Sequence, residues 1–198
     1  LGLTFTPDSL WGVWILQFIF LFFTIFIIYK LCANEFGILA AMTAVVILTS
    51  GVVTLLEQGN VTEEYALVFQ ALCLLLFMRA QRMDFPLRAT FWLGLTAGCA
   101  FNFKQTTLGV WIAFALILTF TRFRQRIFPW RDGLSLLAGF LLLTAVAVIY
   151  FASQNAFNDF WEQAYLYNFI YINKHEGIRS LIPVFTKGFL LLTNGGIL

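Results

Sequence analysis

Three carboxylates lie within eight residues, at Glu57, Glu63 and Glu64, between two long apolar runs. A carboxylate beside low-dielectric walls can have a raised pKa, which suits proton abstraction, and carboxylate oxygens also bind cations. A second interpretation needs no ligand, because Thr62 could cap a helix whose first turn the two adjacent glutamates stabilise. The segment therefore predicts either a catalytic or cation-binding site, or an ordinary helix start.

Lys104 is the second candidate, because its charge interrupts two apolar segments that would otherwise run together. An ammonium group in such a place costs free energy unless it pairs or reaches water, so function is its default interpretation. Its compact charge suits a phosphate or carboxylate oxygen, and Gln105 could add neutral hydrogen bonds. The alternative is that Lys104 only extends to the membrane surface. The predicted substrate-binding residues are Lys104, Gln105, Asn102, Glu57 and Tyr65, and no residue is assigned to a metal.

The composition places these residues in a membrane protein. Hydrophobic residues make up 61% of the chain and charged residues 11%, and the mean hydropathy is +0.86. A soluble domain carries roughly 25% charged residues and about 45–50% apolar ones. We therefore expect an all-α, polytopic transmembrane helical bundle of about six to seven spans, which forms a single domain over residues 1–198.

Apolar runs of about 20 residues can cross a bilayer, and shorter ones need protein neighbours. The candidate runs are Leu10–Tyr29, Phe36–Leu56, Tyr65–Met78, Ala89–Phe103, Gln105–Thr121, Leu134–Ala152 and Leu181–Leu198. Residues 153–180, between the last two runs, predict an outer-face loop with an interfacial helix rich in tryptophan and tyrosine. Such rings could also stack on a sugar.

Basic residues collect in alternate loops, at Lys30, at Arg79–Arg88 and at Arg122–Arg131. Because basic loops stay cytoplasmic, we expect an integral, multi-pass protein in which Glu57–Glu64 and Lys104 face outside. The arginines of the loop Arg122–Arg131 are explained by this topology and by attraction to lipid headgroups. Membrane lipids are therefore expected partners, and a net charge of +2 gives no indication of nucleic-acid binding.

Three stretches resemble the GT-C glycosyltransferases, the multi-span group that includes protein mannosyltransferases and aminoarabinose transferases. The first is Gly59–Leu67, which opens a span ending at Arg79. The second is Phe91–Gln105, which is similar to the recurrent LxGLxxGxxFxxK helix of that group and leads directly into another span. The third is the short basic turn between them.

The resemblance implies transfer of a sugar, with inversion, from a polyprenyl-phosphate donor to an acceptor glycan, lipid or protein on the non-cytoplasmic face. It implies no covalent or nucleotide cofactor, and leaves open a divalent cation. By position, Lys104 would neutralise the phosphate of the leaving group. Glu63 or Glu64 would lie on the cavity rim and position the acceptor or that cation.

The main catalytic acid of these enzymes lies in the first large outer loop, whereas this sequence begins beside what resembles their second span. Asp8 is the only carboxylate that precedes this span in the sequence. We therefore expect a fragment without the N-terminal span and first outer loop, which could be inactive by itself. The runner-up is a transporter or flippase for a lipid-linked or anionic solute, in which Glu63 and Glu64 couple to protons or cations. A non-catalytic membrane scaffold is the third interpretation.

Overall fold

The computed structural model describes residues 10–55 and 62–166. Six helices of 16 to 26 residues follow one another, α1 Trp11–Phe36, α2 Ile38–Leu55, α3 Thr62–Arg82, α4 Leu87–Phe103, α5 Gly109–Arg124 and α6 Trp130–Ser153. A 3-10 turn, Gln105–Leu108, precedes α5, and a short helix α7, Phe157–Trp161, runs into a π-helical turn, Glu162–Leu166. The described ranges contain no strand, so the all-α prediction is confirmed.

Within residues 10–55 and 62–166, three helical stretches are long and apolar enough to cross a membrane, namely Trp11–Phe36, Gln105–Arg124 and Trp130–Ser153. At most 17% of the residues in their most apolar windows are buried. Apolar surface of this extent is typical of contact with lipid. These helices agree with the predicted polytopic bundle, and the predicted span Leu181–Leu198 lies outside the described residues.

The helix bounds differ from the predicted ones at polar residues. Lys30, which the sequence pattern places in a turn, lies inside α1, with its ammonium 5.5 Å from the centre of the Phe26 ring. The helix continues to Phe36 and ends at Gly37, whose positive φ of 90° is a conformation that glycine adopts readily. Helix α3 begins at Thr62, before the predicted start at Tyr65. Its first turn therefore includes Glu63 and Glu64.

The chain divides into two compact units, Leu1–Thr144 and Ala145–Leu198. The first unit has an apolar core drawn from α3, α4, α5 and the turn between α3 and α4, with Cys73, Phe85 and Ala100 almost fully buried. In the second unit, the ring of Phe151 stacks on that of Phe160 at 4.5 Å between centroids. The predicted interfacial loop, residues 153–180, is described only as far as Leu166, and its position at a membrane surface stays a prediction.

Contacts within the first unit show how its helices run. Near the start of α1, Gln17 meets Glu64 at the start of α3, and near its end Glu35 meets Arg82 at the end of α3. Helices α1 and α3 are therefore parallel. Helix α4 runs back, because Lys104 at its end pairs with Glu63.

Polar side chains consequently gather at two opposite ends of this unit. The lysine end holds Gln17, Glu63, Glu64 and Lys104, and the arginine end holds Glu35, Arg82, Asp84, Arg122 and Asp132. Alternation of helix direction is what the charge pattern of the loops predicts. The side of the membrane that each end faces stays a prediction.

Helices α4 and α6 approach closely at glycines. A Cβ added at Gly94 would lie 1.8 Å from the carbonyl oxygen of Leu136, and one at Gly139 would lie 2.1 Å from that of Phe91. Neither distance can accommodate a carbon atom, so the two backbones cross where only hydrogen fits. The GxxxG pattern that begins at Gly94 predicts such an approach, and the prediction is confirmed.

We expect Gly139→Ala to lower the free energy of unfolding by about 1–3 kcal/mol, because the added methyl group forces the α4 and α6 backbones apart. Unfolding in mixed detergent micelles, followed by circular dichroism, measures the change. Gly133→Ala is the matched control in the same helix, since a Cβ there meets nothing within 4 Å. Equal stability of the two variants would contradict the close crossing.

Candidate functional site

Lys104 forms the joint between α4 and the 3-10 turn, where its backbone is extended with φ −160° and ψ 121°. Its N–H donates to the carbonyl of Ala100 at 2.9 Å. Its own carbonyl accepts hydrogen bonds from the N–H and the hydroxyl of Thr107, at 3.2 and 2.7 Å. These bonds satisfy backbone groups that a helix break would otherwise leave unpaired. The turn at Lys104 that the sequence predicts is therefore confirmed and held by defined contacts.

The Lys104 ammonium forms an ion pair with the carboxylate of Glu63, in the first turn of α3. The two side chains are 37% and 38% exposed, so a small molecule can reach both. An ion pair this exposed typically contributes about 0–1 kcal/mol to stability. A phosphate oxygen can therefore replace the carboxylate on Lys104 with little loss of folding free energy.

Glu64 lies in a different environment from its neighbour. It is 2% exposed and accepts a hydrogen bond from the side-chain amide of Gln17 on α1. Gln17 is itself 8% exposed, and its Oε1 atom has no hydrogen-bond partner among the described residues. The adjacent glutamates are thus separated, with Glu63 accessible beside Lys104 and Glu64 enclosed between α1 and α3.

An aromatic cluster lies next to these polar groups. The ring of Tyr65 stacks on that of Phe103 with centroids 5.8 Å apart and planes only 9° from parallel. Phe20 contacts both rings edge-on, at 5.2 and 5.8 Å. Tyr65, one of the predicted substrate-binding residues, is 8% exposed. Its ring therefore belongs to an apolar aromatic wall that includes Phe103, the residue before Lys104.

The other predicted substrate-binding residues are more dispersed. Asn102 donates from its side-chain amide to the carbonyl of Gly98 at 2.7 Å, and its Oδ1 atom is buried with no partner in the described structure. Gln105 is half-buried at the start of the 3-10 turn. Glu57 lies outside the described residues. Within the described ranges, no three His, Cys, Asp or Glu side chains are grouped so that they could hold a metal ion.

Sequence reasoning missed Gln17 and Phe20 as neighbours of the site. Both lie on α1, three residues apart, and so share one helix face. The available signal was Gln17 itself, because an amide side chain inside a long apolar run indicates a partner within the protein. The partner could not be read from the sequence, since Glu64 is 47 positions away.

Gln17→Leu is expected to lower the free energy of unfolding by about 1–3 kcal/mol, because Glu64 then loses its buried hydrogen bond. Unfolding in mixed micelles measures this effect. In the double variant Gln17→Leu, Glu64→Leu, both polar groups are removed, so we expect most of the loss to be recovered. If the double variant is less stable than the single one, the bond between the two side chains does not explain the effect.

The arginine end contains a second polar cluster that sequence reasoning did not foresee. Arg122 is 9% exposed and donates to both carboxylate oxygens of Asp132, at 2.8 and 3.3 Å. It also donates to the carbonyl of Phe85 at 3.0 Å and lies 3.4 Å from the carboxylate of Asp84. The explanation of Arg122 by topology and headgroup attraction is therefore incomplete, because this side chain joins the end of α5 to the first turn of α6 and to the loop between α3 and α4.

Residues 1–151 match the family described as dolichyl-phosphate-mannose-protein mannosyltransferase. The chain belongs to this family. The protein is therefore a membrane glycosyltransferase of the mannosyltransferase type, and the resemblance to GT-C enzymes is confirmed. The residues of the lysine end, including Glu63, Glu64 and Lys104, all lie within the matched segment. No curated protein and no solved structure gives a significant match to the chain.

Proposed function

We propose that this mannosyltransferase takes a sugar from a polyprenyl-phosphate donor and that Lys104 binds the phosphate of the donor. The observation that carries the proposal is the accessible pair of Lys104 and Glu63 at a helix break, within the segment that matches the family. A fixed ammonium beside an apolar wall suits a ligand that combines a phosphate with a hydrocarbon chain. The exposed apolar side chains of α1 and α5 can lie against the hydrocarbon chain of such a ligand.

The proposed reaction follows from the charge changes at the phosphate. The acceptor oxygen attacks the anomeric carbon, the bond from that carbon to the phosphate oxygen breaks, and negative charge grows on the departing phosphate. The ammonium of Lys104 stabilises this charge in the transition state. Glu63, displaced from Lys104 by the phosphate, is then free to position the acceptor hydroxyl or to accept its proton.

Glu64 has a different role in this proposal. Its burial against Gln17 supports positioning of the first turn of α3, and with it the neighbouring Glu63. We infer that Glu64 acts through this placement, whereas Glu63 contacts the acceptor. A divalent cation beside Glu63 stays a prediction.

The charge distribution supports an orientation for the site. Arg79, Arg82 and Arg88 lie in or beside the loop between α3 and α4, at the arginine end of the unit. Basic loops remain on the cytoplasmic side during insertion. We infer that the lysine end faces the non-cytoplasmic side, where the acceptor glycan, lipid or protein is found.

The donor is tested with the full-length protein reconstituted in liposomes. Tritiated mannosyl polyprenyl phosphate and tritiated GDP-mannose are supplied separately, and a membrane extract provides the acceptors. Label is then measured in the lipid, glycan and protein fractions of that extract. We expect transfer from the lipid-linked sugar only. Transfer from GDP-mannose alone would contradict the proposed donor.

The same liposomes separate transfer from transport. With no acceptor present, we expect no movement of the tritiated lipid-linked sugar between leaflets. Rapid movement of this lipid between leaflets, together with no sugar transfer when an acceptor is added, would support the transporter or flippase interpretation instead. Parallel assays with EDTA and with added magnesium or manganese test the predicted cation.

A further inference from the structure

A cavity of about 280 Å³ lies between α1 and α3 at the arginine end. Lys104 lies at the opposite end of the same unit. The polar lining of the cavity includes Asn34 and Glu35 from α1 and Arg79 and Arg82 from α3. Since Gln17 and Glu64 join the starts of these helices and Glu35 and Arg82 join their ends, the cavity is separate from the proposed donor site.

The charges in this cavity are not balanced. Arg82 donates to both carboxylate oxygens of Glu35, at 2.5 and 2.7 Å. That pair neutralises one arginine and fixes it at the cavity wall. Arg79 is exposed, and no ion pair or hydrogen bond joins it to another described residue. Among the described residues, the Arg79 guanidinium group at this cavity therefore has no partner, which suits a phosphate group.

The lining changes from polar to apolar along the helix axes. Leu31 precedes Glu35 by four residues, and Leu75 precedes Arg79 by four residues, so both leucines lie about 6 Å deeper, one helical turn toward the centre of the bundle. Leu31 is buried in the wall. A free phosphate ion would need only the arginine. A phospholipid also has glycerol and acyl groups, which would lie against the leucines.

We propose that this cavity binds an anionic phospholipid of the leaflet at the arginine end, with its phosphate on Arg79 and its upper acyl chain against Leu31 and Leu75. Arg82 is already paired with Glu35, so it attracts an anion less strongly than Arg79 does. After one phosphate binds to Arg79, the site therefore accepts a second anionic group less readily. Such a lipid would fasten the ends of the parallel helices α1 and α3 to each other.

The test is a lipid titration of the purified protein in detergent, read out by its melting temperature. Phosphatidylglycerol is expected to raise the melting temperature, and phosphatidylcholine is not. Arg79→Gln should need about fivefold to tenfold more phosphatidylglycerol for the same rise. Arg124→Gln is the matched control, because Arg124 is exposed in the last turn of α5 and does not line this cavity.

Three outcomes would overturn the proposal. Equal effects of the two variants would indicate diffuse attraction to basic residues, and an equal rise with inorganic phosphate would indicate a site for the free ion. An equal rise with phosphatidylcholine would show that the anionic headgroup is not recognised. Leu75→Phe, which fills the apolar wall and keeps both arginines, provides a second variant that should also weaken the titration with phosphatidylglycerol.

Discussion

Lys104→Ala is expected to lower the rate of sugar transfer by about 10²–10³-fold, the loss typical of removing one preorganised group from a developing negative charge. The side chain is 37% exposed, and among the described residues its ion pair is with Glu63 alone. Its removal should therefore cost at most about 1 kcal/mol of stability, and the protein should remain folded. Initial rates with tritiated mannosyl polyprenyl phosphate measure the loss, and circular dichroism confirms the helical content.

Lys30→Ala is the matched control for this experiment. Lys30 is also an exposed lysine, but it lies in the second half of α1, over the ring of Phe26. We expect this variant to keep nearly full activity. If Lys104→Ala retains more than roughly a tenth of the wild-type rate, the loss is well below the expected factor of about 10²–10³. The proposed phosphate site is then wrong.

Arg122→Ala is expected to lower the free energy of unfolding by about 3–5 kcal/mol, because it leaves a buried carboxylate without its partner. Asp132 is 4% exposed and receives two hydrogen bonds from the guanidinium group. The carbonyl of Phe85 loses a donor at the same time. Equilibrium unfolding in mixed detergent micelles measures the loss.

Two variants show whether the buried pair is responsible. Arg124→Ala removes a neighbouring exposed arginine and should change stability by about 0.5 kcal/mol or less. The double variant Arg122→Met, Asp132→Leu replaces both charges with apolar groups, so it should recover much of the stability that Arg122→Ala loses. A single variant as stable as Arg124→Ala would mean that the ion pair is unimportant.

The membrane helices could be predicted from the sequence because apolar length is a local property. Residues around Lys30 show the limit of that reasoning. A charge at the end of an apolar run predicts a turn, but a lysine tolerates a helical conformation and its long side chain can reach the helix surface. Helix α1 therefore continues until Gly37, where the backbone adopts a positive φ.

The close crossing of α4 and α6 was predictable only on one side. Gly94 and Gly98 form a pattern that favours close approach, but the pattern does not name the helix that approaches. The structure supplies Gly139 and the carbonyl of Leu136 as the opposing surface. Such a partner depends on how two helices are rotated about their axes, which no local pattern determines.

The sequence by itself determined the membrane class, the alternation of helix direction, the turn at Lys104 and the family, because each depends on composition or on a short motif. Tertiary structure decided which glutamate meets Lys104. Adjacent residues on a helix point about 100° apart, so Glu63 faces Lys104 while Glu64 faces Gln17. It likewise buried Arg122 and left Arg124 exposed, because burial depends on the neighbours that packing brings to each helix face.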